Sequence, residues 1–194
     1  MNQPAPRAFT TKFPGRVDRI ITAIQICAAF DPVNPPDPVP KYHETKALWD
    51  TGATNCLITK KMADSLDLIP VGKTIVTHAG GKSEATTYLV NFILTNKVQV
   101  LGAFVSECPE IVFDVGVIIG MDIISMGDFS ITNVGGKTWV SYRYPSIGRI
   151  DYVKEADEMT FKGVPKNAPC PCGRTRPSGK PIPFKNCHGK QFRK

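Results

Sequence analysis

Apolar positions along the chain fall into short runs separated by glycine, proline and polar clusters. From Val17 to Phe30, Ile, Val and Thr dominate in a β-like pattern that ends at a Pro-rich loop, residues 31–40, which cannot continue a sheet. A second strand, around Thr45 to Trp49, delivers the chain to Asp50. The stretch "ITKKMADSLDLIP" has a different period: Thr59 is placed as an N-cap, Met62, Ala63 and Leu66 share one helical face, and Pro70 closes the segment. It predicts a helix. "KTIVTHAGGKSEATTYLVNFIL" predicts a long hairpin with its tip near Ala79 to Lys82. "KVQVLGAFV" and "VFDVGVIIG" supply further strands, a helical turn fits Asp122 to Met126, and "DFSITNVGGKTWVSYRY" predicts a second hairpin turning at Gly135 and Gly136. Many short strands, Gly turns and one or two short helices predict an all-β barrel or sandwich. Residues 1–16, with Pro4, Pro6, Pro14 and Gly15, read as a flexible arm, and 146–168 as a linker before a cysteine cluster.

Composition changes this picture little: 194 residues with 42% apolar content suffice for one packed domain and an appendage. Charge changes it more. Residues 1–158 carry 15 Lys+Arg against 17 Asp+Glu, whereas 159–194 carry 9 Lys+Arg and no acid, so the whole basic excess belongs to the tail. The apolar runs "IITAIQICAAF" and "VGVIIGMDII" are shorter than the ~20 residues that span a bilayer, which predicts no membrane span. The first run follows several basic residues in the manner of a signal peptide, but Thr22 and Gln25 interrupt it and no small-residue cleavage site follows, which favours a buried strand. Cys27, Cys56 and Cys108 are scattered and three more cysteines crowd the tail, a distribution that fits a reducing cytoplasm.

The chemistry concentrates at "ALWDTGATN", Ala47 to Asn55. An Asp-Thr-Gly entered from an apolar run is half of a two-carboxylate peptidase site. Two carboxylates ~3 Å apart at an effective dielectric of ~20 repel by about 5 kcal/mol, so one stays protonated as general acid while the other polarises water. No second Asp-Thr-Gly or Asp-Ser-Gly exists; Asp114-Val115-Gly116 lacks the hydroxyl residue. The second carboxylate must therefore come from another copy of the chain.

From roughly Val17 to Pro145 the sequence resembles the retropepsin-like aspartic peptidases, through Asp50-Thr51-Gly52-Ala53 after an apolar strand, a Gly-tipped hairpin about 30 residues later, and "VIIGMD", Val117 to Asp122. The continuation looks like the bacterial members more than the viral ones. The resemblance implies a closed barrel over 17–145 and a homodimer that cleaves extended polypeptide without a cofactor. It also implies roles: Asp50 as the catalytic carboxylate paired with its twin, Thr51 bonding across the two-fold axis, and Gly52 allowing close approach of water and substrate. Ala53, without a hydroxyl, implies a less acidic dyad than in members with Thr or Ser there. Ala53, Thr54, Ile118 and Ile119 are expected at the substrate, and Ile118-Ile119-Gly120 in a ψ-shaped crossing beside the Asp loop. His78, Ala79, Gly80 and Gly81 would form a flap closing over the peptide; His78 is expected to be simply solvated. Viral members pair acidic residues after the Ala with a basic residue after "IIG"; here Thr54, Asn55 and Met121 stand at those places. A barrel that only dimerises, with Asp50 at an ordinary turn, is the alternative.

The tail reads "CPCGRTRPSGKPIPFKNCHGK", with Cys170, Cys172, Cys187 and His188 as a set suited to tetrahedral structural zinc. Residues 169–194 resemble the SEC-C motif, the zinc-binding tail of the preprotein translocase ATPase, with a longer loop between the two ligand pairs, which costs little closure entropy. The resemblance implies contact with an acidic protein or the ribosome. A disordered basic tail with incidental thiols is the alternative.

Overall fold

In strand β2 (Ile20–Ala28) the side chains of Ile20, Thr22, Ile24 and Ile26 are buried while those between them are not, the period-2 signature of a strand with one face on a core. The computed structural model describes residues 5–78, 81–109 and 114–190, which form two units, Met1–Ile147 and Gly148–Lys194. In the first unit β2 is followed by β3 (His43–Trp49), β4 (Leu57–Thr59), helix α1 (Lys60–Ser65), β5 (Gly72–His78), β6 (Gly81–Ile93), β7 (Gln99–Cys108), β8 (Val117–Ile119), a short helix α2 (Met121–Ile124), β9 (Asp128–Thr132) and β10 (Trp139–Tyr144). Ahead of them lies β1 (Arg7–Lys12). Among the described residues the strands form a seven-stranded sheet in the order β2-β3-β8-β4-β7-β6-β5, with β2 also paired to β6, and a three-stranded sheet β1-β10-β9.

Local chemistry explains several elements. The Thr59 hydroxyl accepts from the Met62 N–H at 3.2 Å, the N-cap expected at α1. The β9–β10 hairpin turns at Gly135 and Gly136, both at positive φ, which favours glycine. In β6, Asn91 is buried at a register shift, and its side chain donates to the Phe30 carbonyl and accepts from the Gly102 N–H.

Two expectations are corrected. The arm over 1–16 contains β1, which pairs antiparallel with β10 from Arg7↔Tyr144 to Lys12↔Trp139 and lays Phe9 against the core. The linker over 146–168 contains helix α3 (Tyr152–Phe161), whose Phe161 is buried within the second unit. Of "VFDVGVIIG", only Val117–Ile119 is strand among the described residues. No helix there is long and apolar enough to cross a membrane.

The core gathers Ile24, Ile26, Ile58, Val90, Phe92 and Ile119 with Trp49 and Tyr142. Trp49 stacks on Phe129 at 5.4 Å, tilts against Tyr142 at 5.1 Å, and donates its indole N–H to the Thr22 hydroxyl at 2.9 Å. Below this cluster, the Asp128 carboxylate accepts from the Arg143 Nε at 2.8 Å, the Ser146 hydroxyl and the Ile147 N–H, closing the end of the hairpin. The Ser146 and Arg143 bonds, with that from Ile147, hold its carboxyl down at about 2. A depressed folded-state value means that this contribution is complete above the unfolded carboxylate range near ~4 and is lost as pH falls through about 2. Asp128→Asn should therefore flatten the acid limb of a stability profile measured by denaturant unfolding between about pH 4 and 2; an unchanged acid limb would contradict the assignment.

Candidate active site and candidate metal centre

Asp50 stands where β3 ends. The short strand β8 lies between β3 and β4, parallel to the first (Ala47↔Val117 to Trp49↔Ile119) and antiparallel to the second (Leu57↔Ile118). That is the crossing expected beside the Asp loop. The Asp50 N–H donates to the Ile119 carbonyl at 3.0 Å, and the Asp50 carboxylate Oδ1 accepts from the Gly52 N–H at 2.8 Å. A Cβ on residue 52 would sit 3.1 Å from that same oxygen, so Gly52 suits the close wrap of the loop around the carboxylate. Asp50 and Ala53 are half-buried, and Thr51, Gly52 and Thr54 are exposed.

The loop is fixed from behind by α2. The Met121 N–H donates to the Ala53 carbonyl at 2.8 Å and the Asp122 N–H to that of Thr54 at 3.1 Å. The Asp122 carboxylate accepts from the Cys56 N–H at 2.9 Å, the Cys56 thiol at 3.1 Å and the Ile123 N–H at 3.0 Å. Burial pushes the Cys56 thiol up; the Gly120 N–H on its sulfur works the other way and the Asp122 charge adds to the rise, so the thiol stays a neutral donor. Backbone bonds and this one carboxylate, rather than an ion pair between residue 121 and residues 54 or 55, tie α2 to the loop. Asp122 was visible only as part of "VIIGMD", and nothing in one sequence couples it to Cys56.

Of the residues expected at a substrate, Ala53 and Thr54 border the Asp loop, and Ile118 is half-buried. Ile119 is corrected to a core position: it is fully buried, which leaves its side chain no surface for a ligand. The β5–β6 hairpin runs from Gly72↔Thr87 to His78↔Gly81, with the outer part of β6 exposed and its inner part buried. Gly81 takes φ 120°. Ala79 and Gly80 and the side chain of His78 lie outside the described residues.

No second acid within the described chain completes the site. Asp114 sits beyond the opposite end of β8, at φ 53°, and pairs with Lys46 at 3.2 Å. Asp122 is committed to its three donors. An open cleft of about 720 Å³ lies around Thr45, Lys46, Lys61 and Asp114, toward the end of β3 away from Asp50. Asp50 thus stands half-buried beside the exposed Thr51 and Gly52, with no second acid of the described residues against it.

In the second unit, Cys170, Cys172, Cys187 and His188 bring four ligand atoms within 4.8 Å of one another. Cys170 Sγ is 3.3 Å and Cys187 Sγ 3.5 Å from His188 Nδ1, and Cys172 Sγ is 3.6 Å from Cys187 Sγ. A tetrahedron with metal–sulfur bonds of ~2.3 Å and a metal–nitrogen bond of ~2.0 Å has edges of about 3.5–3.8 Å, so the set could hold a metal ion. Burial opposes ionisation of Cys170, but hydrogen bonds from the Cys172 backbone and from His188 outweigh it and bring the thiol down to about 6. Burial and the neighbouring thiols push Cys187 up. The Cys170 thiolate forms readily while Cys187 resists, a conflict that a bound cation would relieve.

Replacing Asp122 by Ala strands the N–H groups of Cys56 and Ile123. The expected cost is about 1–3 kcal/mol, read as a lower denaturant midpoint at unchanged slope, with faster amide exchange at both residues. Wild-type stability in that variant would mean the carboxylate bonds do not hold the loop.

Residues 41–126, which include Asp50 and the Ile118-Ile119-Gly120 element, match the family described as "gag-polyprotein putative aspartyl protease". No curated protein matches the chain. Among solved structures, the chain is similar to a retropepsin-like aspartic protease from Rickettsia conorii, with 12% identity over 74% of this chain and 98% of that one at a TM-score of 0.43. It is similar also to the EIAV protease in complex with an inhibitor (20% identity, 56% and 86% covered, TM-score 0.37) and to the simian foamy virus (mac) protease in solution (16%, 54% and 92%, TM-score 0.35). The family match supports a retropepsin-like aspartic protease over the segment that carries the Asp loop.

Proposed function

We propose that the chain is a cytoplasmic, homodimeric aspartic endopeptidase of the retropepsin kind, with a C-terminal zinc-binding tail that recruits it to a partner or substrate. The observation that carries the reading is the Asp-Thr-Gly loop itself: its backbone is pinned to β8 and α2, one carboxylate oxygen is held by the Gly52 N–H, and the loop is open on its outer side. A second protomer related by a two-fold axis would bring its own Asp50 and Thr51 against that open side and complete the pair. The β2–β6 pairing supports a closed barrel as the frame.

In the mechanism, the two Asp50 carboxyls share one proton because both cannot ionise at contact distance, and they titrate as a unit. The ionised carboxylate takes a proton from water as the water oxygen attacks the scissile carbonyl carbon. The protonated one gives its proton to the carbonyl oxygen. A tetrahedral diol forms; the carboxyl that took the water proton passes it to the amide nitrogen while the other takes a proton from a diol hydroxyl, and the carbon–nitrogen bond breaks without a covalent enzyme intermediate. The β5–β6 hairpin would lie over the peptide and pair with its backbone as an added strand, which requires extended polypeptide. Ala53, Thr54 and Ile118 border that channel.

For the tail, three thiolates and an imidazole are donors for which Zn2+ is well suited, in a closed structural site. Cys170, Cys172, Cys187 and His188 would hold it, and the ion would supply folding free energy rather than chemistry. The basic residues after Glu158 would face an acidic protein or the ribosome.

Asp50→Asn should remove cleavage of an unstructured protein by at least about 10³-fold while leaving the dimer intact in sedimentation. In wild type, specific activity should fall on dilution below the dimer dissociation constant. Cleavage retained by the Asn variant would overturn the peptidase reading, and dilution-independent activity of a monomer would overturn the shared site.

A further inference from the structure

We propose that Phe161 is a positioning residue for the metal centre and that α3 forms only when the centre is loaded, which makes residues 152–161 part of the metal-dependent fold. The proposal rests on the reading of the cysteine–histidine set as a zinc site and goes beyond it by assigning a role to a helix outside the ligand motif.

Helix α3 has ten residues, below the length at which an isolated helix is stable in water. It is capped at its start, where the Asp151 carboxylate accepts from the Lys154 N–H at 3.0 Å. Glu155, Asp157 and Glu158 are charged, and the larger apolar side chains Tyr152, Val153 and Met159 are exposed rather than packed. Phe161 is its one buried residue. The helix therefore depends on what Phe161 is buried against.

That surface includes the ligand set. The Phe161 ring lies nearly parallel to the His188 imidazole, with centroids 4.5 Å apart and planes 13° from parallel, and also stacks on Phe184 at 5.8 Å. The buried cluster is Phe161, Cys170 and Phe184, with Val164 and Cys187 packed against it, so two of its five members are ligands. His188 turns the edge bearing Nδ1 to the sulfurs of Cys170 and Cys187 while Phe161 covers its face. The contact thus fixes the plane of the ring and selects the orientation that presents Nδ1. A cluster this small cannot hold three thiols and an imidazole together unaided, so losing the ion disperses it and removes the helix's anchor.

The test uses the full chain. Zinc stoichiometry and affinity are measured by competition with a chromophoric chelator, and amide exchange across 152–161 is followed with zinc and after its removal. We expect one zinc per chain, loss of protection over 152–161 on removal with β3 and β8 unchanged, and a loss of affinity of about 10- to 100-fold in Phe161→Ala, the range for residues that orient a ligand. Phe161→Trp should keep most of the affinity, and Met159→Ala, at an exposed position, all of it. Protection of 152–161 that survives zinc removal, or wild-type affinity in Phe161→Ala, overturns the proposal while leaving the zinc site standing. A wild-type chain that takes up no zinc overturns both.

Discussion

Residue 120 has room for nothing larger than hydrogen, and the first unit is organised around that restriction. A Cβ there would lie 2.6 Å from the carbonyl carbon and oxygen of Asn55 and 3.0 Å from the carbonyl oxygen of Ala53, all main-chain atoms that no side-chain rotation can clear. The closeness is what lets β8 pass between β3 and β4 and lets α2 begin directly under the Asp loop. Gly116 marks the other end of β8, where a Cβ would meet the Thr45 hydroxyl at 2.6 Å and the Met62 methyl at 2.8 Å. Between the two glycines, three residues pair with β3 and two of them, Val117 and Ile118, also with β4, and bonds at the ends, Gly116 N–H to Lys46 and Asp50 N–H to Ile119, lock the register. Register decides which residue stands at the end of β3; a slip of one would turn Asp50 to the other face.

Support reaches this crossing from behind. Trp49, the residue before Asp50, is held among Phe9, Phe129 and Tyr142, three aromatics drawn from β1, β9 and β10. The Tyr142 hydroxyl donates to the Ile123 carbonyl at 2.9 Å, so the small sheet also grips α2, whose own N–H groups hold the loop carbonyls. The Asp loop is thereby rigid on its inner side and exposed on its outer side. On the proposed reading, a carboxylate on such a platform would be placed accurately against a partner without being enclosed beforehand, as a site assembled from two copies requires.

What was legible in the sequence was local. Alternation in β2, the Thr59 cap and the paired glycines at 135–136 are each decided within a few residues, and the structure has them. The Asp50 loop and Ile118-Ile119-Gly120 were legible as motifs because their residue types are narrowly constrained. What escaped depends on distant partners. β1 reads "RAFTTK", with no apolar alternation strong enough to announce a strand, and exists because β10, more than a hundred residues later, supplies its ladder. Asp122 and Cys56 look unrelated until the crossing brings them together. Ile119 was expected at the substrate together with Ile118 because the resemblance carries the two as one element, but alternation puts them on opposite faces, one half-buried and one in the core.

The two units meet the cost of folding by different means, and this bears on the basic tail. The first has a core of buried aliphatic and aromatic side chains; Gly148–Lys194 has Phe161, Cys170 and Phe184, near the ~40-residue size below which metals or disulfides usually replace a core. Three thiolates around a divalent cation leave a net charge of about −1 at a partly solvated centre. Arg174 and Lys190 line a notch that also includes Cys187 and His188, where they would oppose that charge in the loaded centre. With a metal bound, part of the tail's positive excess would thus have work inside its own fold, lowering the penalty of gathering thiolates. Net charge alone overstates the surface left for a polyanionic partner, and it is the lysines and arginines away from the ligand set, such as Lys162 and Lys166, that would distinguish binding from folding.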